Sequence, residues 1–146
     1  METLVIDASI AVKWVVEEEG TAEALALRTQ FRFVAPELMI AECANILWKK
    51  VQRGELMPDE AKMASQLLER AGIETVSMHG MLQWATELAV SFLHPAYDCL
   101  YLTVAMKRGL RFVTADRRLL RAVSERGTDD LKRLCKSLYD LDGVSH

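Results

Sequence analysis

Four acidic residues, Asp7, Glu42, Asp98 and Asp116, stand where the chain passes between short apolar runs and helical patterns. Asp7 follows Leu4-Val5-Ile6, Glu42 lies within Ala41-Glu42-Cys43-Ala44-Asn45, Asp98 within Ala96-Tyr97-Asp98-Cys99, and Asp116 closes Phe112-Val113-Thr114-Ala115. Carboxylates brought together repel one another and are costly to desolvate. A compact acidic pocket therefore normally neutralises its charge with hard cations such as Mg²⁺ or Mn²⁺. If the fold gathers these four, the chemistry to expect is hydrolysis at phosphorus.

Each acid also has an ordinary reading. Asp7 can serve as a turn or N-cap acid as readily as a metal ligand, with Ser9 either orienting it or capping the following helix. A helical repeat places Leu38, Glu42, Asn45 and Lys49 on one stripe. Lys49 favours a solvent face, whereas Leu38 and Asn45 suit a pocket wall, with Asn45 a neutral hydrogen-bonding neighbour. Asp98 and Asp116 can cap or precharge helices, although Asp98 sits in an unusually apolar setting. Thr114 is placed to hydrogen-bond a carboxylate or a metal-bound water. His79, His94 and His146 lack ligand spacing and read as surface or loop residues, which argues against zinc. Ser9 has no histidine partner in these regions and no Gly-rich phosphate loop is found, so a Ser-His hydrolase and a P-loop enzyme are both set aside.

The elements that must position these residues alternate along the chain. Strands are predicted over 3–7, 32–35, 74–76 and 111–114. Ser9 is expected to cap a first helix carrying Ile10, Val12, Trp14 and Val15. Further helices are expected over about 21–31, 37–53, 58–71, 79–93, 97–108 and 116–125. Gly54, Gly72, Gly109 and Gly127 punctuate these patterns as left-handed C-terminal caps would. Such alternation implies an α/β fold with a parallel sheet covered on both faces, whose ligands bind beyond the carboxyl ends of the strands. Asp7 and Asp116 then share one edge of the sheet, and Asp98, near the start of a helix, joins them.

The 146 residues, 51% of them hydrophobic, suffice for one domain with a full core, so residues 1–146 are expected to form a single domain. No apolar run approaches the roughly 20 residues a bilayer requires, and Met-Glu-Thr-Leu lacks the basic start of a signal peptide. A soluble, cytoplasmic protein without membrane contact is expected. Cys43, Cys99 and Cys135 are odd in number and form no CxxC pair, and they read as buried small hydrophobes suited to a reducing compartment. Net charge is −3, yet residues 107–136 hold ten bases against four acids. That excess suits either a phosphate-tracking surface or solvated helix faces, and charge counting alone favours the latter.

Taken in order, these residues resemble the PIN-domain family, in particular the VapC-like toxins of type II toxin-antitoxin pairs. The resemblance is carried by Val5-Ile6-Asp7-Ala8-Ser9 with Val12-Lys13-Trp14 and Glu17-Glu18-Glu19-Gly20, by Pro36-Glu37-Leu38 with Glu42-Cys43-Ala44-Asn45, by Tyr97-Asp98 with Tyr101-Leu102, and by Val113 to Leu119. Arg53-Gly54-Glu55-Leu56 and the helix after it are similar to the family as well, and the match runs from Leu4 to about Val123. It implies a three-layer α/β/α sandwich with a central parallel sheet and a Mg²⁺- or Mn²⁺-dependent endoribonuclease. Asp7, Glu42 and Asp98 would hold the principal metal, and Asp116 would complete the pocket or bind a second, weaker ion. It also implies a homodimer and a cognate VapB-like antitoxin laid over the groove, for which the helices bearing Trp14 and Trp48 offer candidate surfaces, although both tryptophans suit a core equally well. Arg117 and Arg118 are the first choice for RNA phosphate contacts. Beyond Val123 the match fades, and a last edge strand around 132–134 with a C-terminal turn is expected. A PIN-fold RNA-binding or scaffold module without turnover is the alternative, which the complete acidic set disfavours. An aspartyl-phosphate phosphatase would want an acid where Ser9 stands.

Overall fold

Leu4, Val5 and Ile6 are all shielded completely from solvent. A strand apolar on both faces belongs at the centre of a covered parallel sheet, and β1 (Thr3–Ile6) is the middle strand of five. The computed structural model describes residues 1–141; His146 and the end of the expected C-terminal turn lie outside the described residues. After β1 come α1 (Ala8–Lys13), α2 (Thr21–Leu27), β2 (Arg32–Pro36), α3 (Leu38–Gln52), α4 (Pro58–Glu69) and β3 (Ile73–Val76). Next are α5 (Leu82–Phe92), α6 (Ala96–Arg108), β4 (Phe112–Thr114), α7 (Arg117–Arg126), α8 (Asp129–Leu134) and β5 (Cys135–Ser137), with a 3₁₀ turn at Leu138–Asp140. The result is the three-layer α/β/α sandwich expected.

The strand order is β3-β2-β1-β4-β5, and every pairing is parallel. Val5 lies between Val34 of β2 and Phe112 of β4, and Ile6 pairs with Val113. The chain builds outward from β1 through β2 to β3, then crosses back to place β4 on the other side of β1. Strand order therefore reverses between β1 and β4, the position at which open α/β sheets form their binding crevice. Asp7 and Asp116 flank that crevice.

Side-chain burial separates the two tryptophans. Trp14 is 7% exposed, meets Phe33 edge-on at 4.8 Å between centroids, and donates its indole N–H to the Ala24 carbonyl at 2.8 Å. Trp48 is 56% exposed. All three cysteines are buried and free. Burial pushes the Cys43 thiol up to about 12 and Cys99 up to about 11, so both behave as small apolar residues.

Several expected boundaries move. Residues 132–134 belong to α8, and the edge strand follows at Cys135–Ser137. Thr128 caps α8 by accepting from the Leu131 N–H at 3.3 Å, with Asp129 and Asp130 in the first turn and Lys132 and Arg133 in the last. That cap and charge order favour a helix over the β-tendency of a short apolar run. Gly54, Gly72 and Gly109 adopt left-handed φ values of 75°, 79° and 64°, but Gly127 has φ −75° and is no left-handed cap. α2 ends at Leu27, and α5 begins at Leu82, beyond Gly80 at φ 82°. Among the described residues no single helix is long and apolar enough to cross a membrane. α5 and α6 reach that length only as a pair bent by 116°, and α6 is a core helix with six buried residues.

Candidate active site

Asp7 is the first residue beyond β1 and is 4% exposed. An isolated carboxylate at that depth is strongly unfavourable, and both of its oxygens are hydrogen-bonded. Ser9 Oγ donates to Oδ1 and Thr114 Oγ1 to Oδ2, each at 2.5 Å. The two hydroxyls are held in turn: Ser9 Oγ accepts from the Ala115 N–H at 3.1 Å, and Thr114 Oγ1 from the Asp116 N–H at 3.0 Å. Backbone beyond β4 thus fixes a side chain beyond β1. Ser9 lies inside α1 and orients Asp7; the expected capping role is not the one it takes, since Asp7 occupies the N-cap position.

Asp116 is the N-cap of α7, and its Oδ1 accepts from the N–H groups of Arg118 at 2.9 Å and Leu119 at 3.3 Å. The ordinary reading of this residue therefore holds, with Oδ2 outside the cap. Asp98 lies in the first turn of α6. His94 Nε2 stands 2.6 Å from its Oδ2, with the two side chains 8% and 22% exposed. Glu42, in the second turn of α3, is half-buried and accepts the Tyr101 hydroxyl hydrogen bond on Oε1. Asn45, one turn further, is exposed, as is Lys49. The α3 stripe therefore divides, with Leu38 and Glu42 turned toward the protein and Asn45 and Lys49 toward solvent.

The electrostatics of these acids are coupled. Burial pushes Asp7 up to about 7, against the lowering effect of Ser9 and Thr114, and the charges of Asp98 and Asp116 add to the rise. Burial also raises Glu42, opposed by the Tyr101 hydrogen bond and reinforced by Asp98 and Asp116. Asp98 is raised by burial, opposed by its His94 hydrogen bond, reinforced by Asp116, and lowered by the charges of His94 and Arg118. The sequence thus places four carboxylates on four different segments, and the fold makes three of them feel the others. Of the two arginines after Asp116, both exposed, Arg118 is the one whose charge reaches the pocket; Arg117 lies 3.5 Å from Glu19 at the surface.

Among the described residues no three His, Cys, Asp or Glu side chains already form a metal cage. The fit to a hard cation is one of donor chemistry: oxygen ligands only, mutually repelling, oriented mainly by neutral hydroxyls. Asp7, Glu42, Asp98 and Asp116 are the residues that could hold such an ion.

Sequence reasoning missed two contributors. Tyr101 was part of the recognised pattern but carried no role, because nothing in the sequence places its hydroxyl across from α3. His94 sits in the loop before α6, as expected of a lone histidine, yet its side chain is folded onto Asp98 and is no free surface group. The four-residue spacing from His94 to Asp98 was the available signal, obscured by Pro95 between them.

Comparison with known proteins agrees with this fold. Residues 4–125 match the family described as PIN domain. Ribonuclease VapC3 of Pyrobaculum aerophilum is 35% identical over 119 residues, which span 80% of this chain and 91% of that protein. The crystal structure of PAE2754, also from Pyrobaculum aerophilum, superposes with a TM-score of 0.65 at 22% identity, covering 94% of this chain and 92% of the other. That likeness concerns the fold.

Proposed function

The chain belongs to the PIN-domain family, and from that premise we propose that it is a Mg²⁺- or Mn²⁺-dependent endoribonuclease of the VapC type. In this reading it is a cytoplasmic toxin held in check by a cognate VapB-like antitoxin, and residues 1–146 act as a single PIN-like domain. The observation that carries the reading is the geometry of the acids at the crevice between β1 and β4, where Ser9 and Thr114 hold Asp7 and Tyr101 holds Glu42 without cancelling their charge, and where the charges of Asp98 and Asp116 raise Asp7 and Glu42. Such a pocket favours a cation over solvent.

Asp7, Glu42 and Asp98 are the ligands proposed for the principal ion, with Asp116 completing the pocket or holding a second. A bound ion supplies polarisation of the scissile phosphate and a lower pKa for the attacking water. Ser9 and Thr114 keep the Asp7 carboxylate in one orientation, so its charge is presented without reorganisation. Arg118, whose charge reaches the pocket, and Arg117, beside Glu19 at the surface, are proposed to contact RNA phosphates. For partners, a groove of about 340 Å³ between α3 and α4 is lined by Met39, Ile40, Cys43, Leu47 and Leu68, and the same two helices expose Trp48, Met63 and Leu67. This face supports antitoxin docking. Trp14, buried in the core, is withdrawn as an anchor. The exposed Val90, Leu93 and Tyr97 around the α5–α6 turn support a homodimer contact.

The test is cleavage of total cellular RNA by antitoxin-free protein with Mg²⁺ or Mn²⁺, with chelator, and with the Asp98→Asn variant. Discrete fragments that need the metal and disappear in the variant are expected. A folded, metal-supplied protein that binds RNA without cutting it would instead support the module without turnover.

A further inference from the structure

Tyr101 is completely buried. Its ring lies nearly parallel to that of Phe112, with 5.9 Å between centroids and 15° between planes. A phenylalanine would fill this space and keep that contact, so packing alone gives no reason for a hydroxyl. A buried phenol is instead costly unless its O–H finds a partner. The partner here is Oε1 of Glu42, 59 residues earlier in the chain and on another helix.

The type of donor is informative. A lysine or arginine at this position would neutralise Glu42 and repel a cation, whereas a hydroxyl orients the carboxylate and leaves its charge in place. Asp7 is held in the same manner by Ser9 and Thr114. Two acids from different segments are thus steadied by neutral hydroxyls, as expected if their charge is reserved for an ion.

We infer that Tyr101 is a positioning residue for the metal pocket: its hydroxyl holds Oε1 of Glu42 and leaves Oε2 available to a divalent cation. The inference rests on the metal-dependent reading above and extends it to a side chain on α6, three residues beyond Asp98. Tyr101 acts through Glu42 and touches neither ion nor RNA.

The experiment is calorimetric titration of Mn²⁺ into the antitoxin-free full chain, as wild type, Tyr101→Phe, Glu42→Gln and the double variant, with melting curves for each. Tyr101→Phe is expected to melt close to wild type and to bind Mn²⁺ about 10- to 100-fold more weakly, the range for loss of a partner that orients a ligand. The same change in the Glu42→Gln background is expected to weaken binding little, because the carboxylate it positions is gone. Wild-type affinity in Tyr101→Phe would overturn the inference and leave the metal reading standing. An equal loss in both backgrounds, or a Tyr101→Phe chain that does not fold, would also overturn it, by showing that the hydroxyl supports the fold. A wild-type chain that binds no Mn²⁺ would overturn both.

Discussion

Along the amino edge of the sheet, Glu2 meets Arg111 through two hydrogen bonds of 2.7 and 2.8 Å, and Glu74 meets Arg108 at 2.9 Å. Along the carboxyl edge, Asp7 and Glu42 meet hydroxyls, and Asp98 meets an imidazole. The same side-chain chemistry is thus put to two uses. Where a guanidinium stands beside the acid, the pair serves the fold. Where hydroxyls stand beside it, the charge is oriented but not cancelled, and the folded protein carries repulsion that a cation would relieve.

The two edges respond to pH with opposite sign. The Arg111 hydrogen bond holds Glu2 below its ordinary value, against a raising effect of burial. Its contribution is present above the ordinary carboxylate range and is lost as pH falls through its folded value. Asp7 is raised from 3.8 to about 7. The folded chain therefore binds that proton more tightly than the unfolded chain, and stability present below 3.8 is lost as pH rises through about 7. The gap corresponds to a penalty on the order of 4 kcal/mol in metal-free protein at neutral pH.

The largest effect expected from this contrast is that Asp7→Asn relieves the penalty. In chelator, wild type should lose stability relative to the variant between pH 4 and pH 7, by up to about 4 kcal/mol in denaturant titrations. Parallel pH profiles would remove Asp7 from the strained edge. Somewhat smaller is the response to the ion. At pH 7, Mn²⁺ at a hundred times its Kd should add about 2.7 kcal/mol, or roughly 5 to 10 °C in melting temperature. Asp98→Asn should respond much less, and an equal rise in both proteins would mean that the ion binds elsewhere.

Replacing Arg117 and Arg118 with alanine should weaken RNA binding and flatten its dependence on the logarithm of salt concentration by about 0.7 per lost phosphate contact. An unaltered slope would take them off the RNA surface. The smallest effect is expected at the paired edge. Arg111→Ala should cost about 1 kcal/mol or less, with RNA cleavage intact. Lost cleavage in a stably folded Arg111→Ala chain would erase the distinction between the edges.

How much of this could be read in advance differs from residue to residue. Leu4-Val5-Ile6 and Phe112-Val113 announce buried strands because such runs have few other ways to leave water, and Asp7 and Asp116 directly after them must then share an edge. β5 was displaced because Cys135-Lys136-Ser137 carries little β signal; as a short edge strand it depends on pairing with β4, and pairing is invisible along the chain. Ser9 looked like a cap for a sound local reason, yet a carboxylate buried two residues earlier needed its hydroxyl more. Trp14 and Trp48 were indistinguishable by type, and only the packing of α1 against β2 separated a core ring from an exposed one.

By itself the sequence determined the alternation of strands and helices, the parallel sheet and the convergence of Asp7, Asp98 and Asp116 on its carboxyl edge, because these depend on local periodicity and on the direction a strand must run. The tertiary structure decided that β4 lies beside β1, that Tyr101 reaches Glu42, that His94 folds onto Asp98, and that these carboxylates lack the arginine partners given to Glu2 and Glu74. Those are contacts between distant segments, set by which surfaces bury one another, and no spacing along the chain encodes them.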